Sequence, residues 1–118
     1  QECFHEPSNI PEFATILPDD PPRELRSSWE LAREQTCRLT WKPYMHDPAL
    51  PHLLKRLTSL PTMLIWGRQD SVVPLSAGEA YRDAIHGSQL VVIERCGHRP
   101  EIEQTDEFVR TVDDFFAR

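Results

Sequence analysis

Thr62-Met63-Leu64-Ile65-Trp66-Gly67-Arg68-Gln69-Asp70-Ser71-Val72-Val73-Pro74 and, further on, Leu90-Val91-Val92-Ile93-Glu94-Arg95-Cys96-Gly97-His98-Arg99-Pro100 are the two stretches that decide the fold. Residues 62–66 and 90–93 are apolar runs rather than alternating ones, as expected of strands covered by helices on both faces. Between them, Ser76-Ala77-Gly78-Glu79 matches the capping-box pattern. Ala80, Tyr81, Ala84 and Ile85 continue that helix, and Gly87 is placed to end it in a left-handed cap. After a loop over 94–104, Thr105 is the expected cap of a last helix. Its first turn carries Asp106 and Glu107, and one face carries Phe108, Val109, Val112, Phe115 and Phe116. The pattern is strand, loop, helix, strand, loop, helix, joined by a right-handed crossover between parallel strands.

Towards the N-terminus the signals become helical and then fade. Asp47 is an expected N-cap with Pro48 at the first position, and Leu50, Leu53, Leu54 and Leu57 form the face of a short helix that stops before Pro61. Leu25, Trp29, Ala32, Thr36 and Leu39 recur at steps of four and three, the stripe of a longer helix introduced by Pro22. Residues 1–22 hold Pro7, Pro11, Pro18, Pro21 and Pro22 and little periodicity, so they are expected to be irregular and to pack only under cover. No convincing strand lies in residues 1–61. Two strands buried on both faces need further strands beside them, so the pattern favours part of a larger sheet whose missing elements lie N-terminal. A chain that begins with Gln1 rather than Met allows either a processed product or the tail of a longer protein.

Composition excludes several function classes. Lys and Arg number 13 against 19 Asp and Glu, a net charge of −6, with no basic run to neutralise a row of phosphates; no nucleic-acid partner is expected. No stretch approaches the ~18 apolar residues of a membrane span, and no signal peptide is visible, so no membrane partner is expected. The three cysteines, Cys3, Cys37 and Cys96, are widely spaced and form no CxxC pair; a reducing, cytoplasmic setting is the expectation. Cys3 with His5 lacks a second ligand pair, and His46 and His52, six apart, share no helical face. No metal and no cofactor are expected.

In open parallel sheets reacting groups gather at the carboxyl ends of strands. Here those ends carry Asp70 and His98, 28 residues apart, the span of one strand-helix-strand unit. The flanking residues Trp66-Gly67-x-x-Asp70-x-x-Val73-Pro74 and Val91-Val92-Ile93-Glu94-x-Cys96-Gly97-His98-x-Pro100-x-Ile102-Glu103 resemble the C-terminal part of the α/β-hydrolase family. Residues 41–50, Trp41-Lys42-Pro43-Tyr44-Met45-His46-Asp47-Pro48-Ala49-Leu50, resemble the end of its helical lid and the entry to its penultimate core strand. The resemblance implies an α/β fold, with residues 1–45 as the end of the lid region and 46–118 as the C-terminal part of the core. One departure is Thr105, where the family usually has proline.

The resemblance further implies a triad in the order nucleophile, acid, histidine, with Asp70 matching the acid and His98 the histidine. The nucleophile is absent: no serine stands in a G-x-S-x-G elbow, and all four glycines lie in the second half. The chain's implied partners are thus the missing N-terminal part of the same protein and a small-molecule substrate. The nucleophile stays open between serine or cysteine, serine giving ester or related carbonyl hydrolysis, and aspartate, as in relatives that open epoxides or displace halide. A non-catalytic receptor or scaffold on the same fold is the rival class, against which the paired Asp70 and His98 argue. Tyr44 and Met45 are the substrate-binding candidates for an apolar acyl pocket; Trp29 and Trp41, like other large side chains, also suit plain core. Cys96 reads as a small inward-packing residue, and Glu101 and Glu103 as a solvated pair at a helix start.

Overall fold

Residues 62–93 of the computed structural model form the expected strand-helix-strand unit: β1 (Met63–Gly67), α4 (Leu75–Ala84) and β2 (Gln89–Ile93). The structure describes residues 3–40 and 47–117. The strands are parallel, in a register that sets Ile65 beside Val91 and Gly67 beside Ile93. Ahead of the unit come a 3-10 turn (Pro7–Asn9), α1 (Phe13–Ile16), α2 (Arg23–Thr40) and α3 (Leu50–Leu54). Behind it come α5 (Pro100–Glu103) and α6 (Thr105–Phe116). Among the described residues there are no further strands, and no helix is long and apolar enough to cross a membrane.

The helix α4 packs on β1 at one close point, where a Cβ on Gly78 would stand 2.9 Å from the Trp66 ring. The Trp66 indole is held from its other end by Nε1, which donates to Val73 O at 3.0 Å. One aromatic side chain thus fixes both the helix and the loop after β1. A Ser76 capping box does not form: the N-cap is Pro74, two residues before Ser76, α4 starts at Leu75, and Ala77 N already donates to Pro74 O. Pro74 supplies extended backbone before the first turn, which does the entry work the sequence assigned to Ser76. Gly87 is left-handed, at φ 78°, but it closes the turn Ile85–Ser88 rather than the last turn of the helix.

Other caps also shift. Asp47 Oδ1 accepts from Ala49 N, capping a turn that precedes α3, and α3 ends at Leu54 rather than reaching Leu57. Residues 100–103, expected in a loop, form the helical turn α5. The hydroxyl of Thr105 donates back to Glu101 O at 2.9 Å instead of capping α6, so it ties α6 to α5.

The core is small. Among the described residues the buried apolar side chains are Phe4, Ile10, Ile85, Ile93 and Cys96, and residues 63–66 and 90–92 are only half-buried. The expected double cover of both strands is therefore incomplete, as it must be when two strands have no neighbours to share helices with. The stripe of α2 lies largely open, with Leu39 82% exposed, and of the α6 face Val109 and Phe116 are exposed while Phe108, Val112 and Phe115 are half-buried.

The two loops that leave the strands are joined tightly. Arg68 N donates to Ile93 O, Gln69 N to Cys96 O, and Cys96 N to Gln69 Oε1, all at 2.9–3.0 Å. Gly67 lies under this join, where a Cβ would collide with Gly97 O and stand 2.5 Å from Cys96 O. Gly67→Ala is expected to cost at least about 3 kcal/mol, the upper end for overpacking, because the obstacle is backbone that cannot rotate away. Chemical denaturation of the full-length protein measures this; a loss under about 1 kcal/mol would show that the loops separate easily.

Candidate functional site

At the end of β1 the chain turns through Arg68 and Gln69, and Asp70 enters as a turn aspartate. Its Oδ1 accepts from Val72 N and Val73 N, both at 2.9 Å. These two amides orient the carboxyl group so that Oδ2 meets His98 Nδ1, also at 2.9 Å. The Asp70 side chain is 5% exposed and that of His98 37%, so the acid is enclosed while the imidazole remains open to a reacting group. Burial pushes the Asp70 carboxyl up, but the bonds from His98, Val73 and Val72, with the attraction of the imidazole, outweigh it. The net result holds the carboxyl below its ordinary value. Asp70 is consequently ionised at neutral pH and ready to balance a charge on the ring.

His98 reaches this place through a strained exit from β2. Arg95 adopts φ 51°, the left-handed region that non-glycine residues enter at a cost of about 1–2 kcal/mol. Its carbonyl is caught by Gln104 Nε2 at 2.9 Å. Beyond the reversal, the buried Cys96 anchors the loop and His98 N donates to Cys3 O at 2.7 Å. The N-terminal segment, expected to need cover, thus itself covers the histidine loop, with Phe4 buried and edge-on to Phe13.

Glu103 departs from the expected solvated glutamate. It is half-buried and accepts from three backbone amides: His5 N at 2.7 Å, Gly97 N at 2.9 Å and Arg99 N at 3.1 Å. Glu101 pairs with Arg99 and lines a cavity of about 250 Å³ together with Ile65, Trp66, Gly67, Asp70, His98 and Pro100. The cavity sits at the carboxyl end of β1, where an α/β sheet holds its ligands. Tyr44 and Met45, with Trp41, lie outside the described residues. Gln69 was missed in the sequence because its partner Cys96 is 27 residues away, and Glu103 because its carboxylate also reaches His5, 98 residues away; the one local signal for Glu103 is Pro100, which starts a turn that carries residue 103 back beneath the loop.

Cys96 stands two residues from His98, but its thiol is fully buried and pushed up to about 12, by burial first and then by the charges of Glu103, Glu101, Asp70 and Glu107. A thiol so held stays protonated at neutral pH and is no nucleophile. In the native full-length protein Cys96 should resist iodoacetamide at pH 8 and react only after denaturation, as mass spectrometry of the peptides would show. Labelling of the native state at the rate of a free thiol would make Cys96 a candidate nucleophile.

The family model described as the alpha/beta hydrolase fold matches residues 9–104. The chain belongs to the alpha/beta hydrolase fold family. Its two parallel strands with flanking helices are part of that α/β fold. Among relatives of this family, the 2-hydroxy-6-oxononadienedioate/2-hydroxy-6-oxononatrienedioate hydrolase of Pseudomonas sp is 43% identical over 67 residues, covering 57% of this chain and 23% of the relative. The 2-hydroxy-6-oxo-2,4-heptadienoate hydrolase of Pseudomonas putida is 45% identical over 56 residues, 48% of this chain and 20% of the relative. The solved 2-hydroxy-6-oxo-6-phenylhexa-2,4-dienoate hydrolase from Rhodococcus sp. strain RHA1 superposes with a TM-score of 0.72 at 27% identity, over 99% of this chain and 41% of that one. The chain spans between a fifth and a quarter of the length of these two curated alpha/beta hydrolases.

Proposed function

We propose that the chain is the C-terminal part of a longer hydrolase, residues 1–45 ending its lid and 46–118 its core, in which Asp70 and His98 serve a nucleophile carried outside residues 1–118. The observation that carries this reading is the 2.9 Å contact of Asp70 Oδ2 with His98 Nδ1 at the carboxyl end of the sheet. With Nδ1 donating to the carboxylate, the lone pair lies on Nε2, the atom a general base needs. A serine attacks a carbonyl carbon, His98 takes its proton and returns it to the leaving group, and Asp70 stabilises the imidazolium that forms between the two steps. Water repeats the cycle on the acyl-enzyme.

The substrate is a small carbonyl compound, and the 2-hydroxy-6-oxo acids in the names of the relatives are its leading class. Tyr44 and Met45 are the candidates to line its apolar pocket. Steady-state assay of the full-length protein on 2-hydroxy-6-oxohepta-2,4-dienoate and on p-nitrophenyl acetate tests this. Turnover of the oxo acid with a higher kcat/KM than the ester is expected; hydrolysis of neither would overturn the hydrolase reading, and of the ester alone the substrate class.

A further inference from the structure

We propose that Glu103 is a positioning residue for His98, one that sets the imidazole by gripping the backbone on either side of it. This rests on the reading of Asp70 and His98 as the acid-base pair. Three consecutive amides in the histidine loop donate to acceptors on other segments of the chain: Gly97 N to Glu103 Oε2 at the end of α5, His98 N to Cys3 O, and Arg99 N to Glu103 Oε1. Glu103 Oε2 also accepts from His5 N, so one carboxylate joins the loop to the segment whose carbonyl holds the His98 amide. The peptide units before and after His98 are thereby fixed, and the ring is left to be aimed by Asp70 alone.

The grip needs a carboxylate. Both oxygens face N–H donors, and only an ionised carboxyl group presents acceptors in both places without bringing a donor of its own. A glutamine would set its NH2 against one of those amides. The fit is also close: a Cβ on Gly97 would lie 2.9 Å from Cys3 O and His5 N and 3.1 Å from Glu103 Oε1, leaving the loop little freedom to settle elsewhere. A base displaced by about 1 Å forfeits about 10²-fold in rate, so loss of the grip should appear in the chemical step rather than in binding.

The experiment uses Glu103→Ala and Glu103→Gln in the full-length protein, with His98→Ala as the reference. Expected for Glu103→Ala is a fall of about 10²-fold in kcat per active site with KM within twofold, and for Glu103→Gln a smaller fall in the same sense. The downfield proton NMR signal of the His98–Asp70 hydrogen bond should broaden or vanish in Glu103→Ala. A purely structural glutamate would lower the melting temperature and leave kcat per active site and that signal unchanged. Either variant folded with kcat within twofold of wild type, or a loss confined to KM, overturns the proposal, as does failure of Glu103→Gln to fold, which would assign the residue to stability alone. If His98→Ala itself keeps the wild-type rate, the acid-base reading fails first. If it abolishes turnover while the Glu103 variants stay active, only the positioning role is lost.

Discussion

His98→Ala in the full-length protein is expected to lower kcat by about 10⁴- to 10⁶-fold with KM little changed, because proton transfer belongs to the transition state and not to substrate binding. Of the described residues beside it, Cys96 is buried and protonated and Asp70 is enclosed behind the ring, so neither can take over. Folding should survive, since the imidazole is partly exposed and its loop is held through backbone amides. A second signature lies in acid stability. Removing His98 takes away a hydrogen bond and an attraction that lower the Asp70 carboxyl, leaving burial opposed by the Val72 and Val73 amides, so the carboxyl moves up. A depressed carboxyl contributes stability that is present above the unfolded value of about 3.9 and is lost as pH falls through the folded one. The variant should therefore show a flatter dependence of its urea midpoint on pH below about 5. Ester or oxo-acid hydrolysis within tenfold of wild type would end the assignment of His98 as base.

Asp70→Asn is expected to cost about 10⁴-fold in kcat while leaving the loop in place, by analogy with the triad of serine proteases. The asparagine oxygen can still accept from Val72 N and Val73 N, the two bonds that seat the side chain. Its NH2 group then faces His98 Nδ1 as a donor. The ring must answer with a lone pair at Nδ1 and carry its proton on Nε2, the tautomer that cannot accept a proton from a nucleophile. The charge that would balance the imidazolium is gone as well. Steady-state kinetics with the melting curve decide the matter: near-normal turnover, or an unfolded protein, would leave Asp70 a turn aspartate and nothing more.

The parts of the molecule readable from sequence are those built by neighbours along the chain. The strands over 63–67 and 89–93, the helix between them and the approach of Asp70 to His98 follow from apolar runs, spacing and the geometry of a crossover. Cap positions were less legible, because Pro74 and Gln104 start their helices through backbone conformation where Ser76 and Thr105 offered side-chain oxygens. The turn α5 is too short to show a period. The reach of Glu103 to His5 spans 98 residues, and that of Gln69 to Cys96 spans 27; no local pattern encodes either. The helical stripe of α2 was legible as a helix but not as a buried one, since periodicity marks a face and does not supply what covers it.

The bonds between the loops at residues 68–70 and 93–98 run across the sheet, so the acid and the histidine are registered to each other without reference to the chain that connects them. That connection is therefore a place where length can drift during descent. The turn at Ile85–Ser88 bears exposed His86 and a left-handed Gly87 with open space where its side chain would be, and widening a surface loop costs little entropy. Insertions between His86 and Gly87 would accumulate in homologues, or accept a grafted epitope, while Asp70 and His98 kept their spacing. The same architecture that makes Gly67 intolerant of a single methyl group thus leaves the neighbouring crossover open to experiment by evolution and by engineers alike.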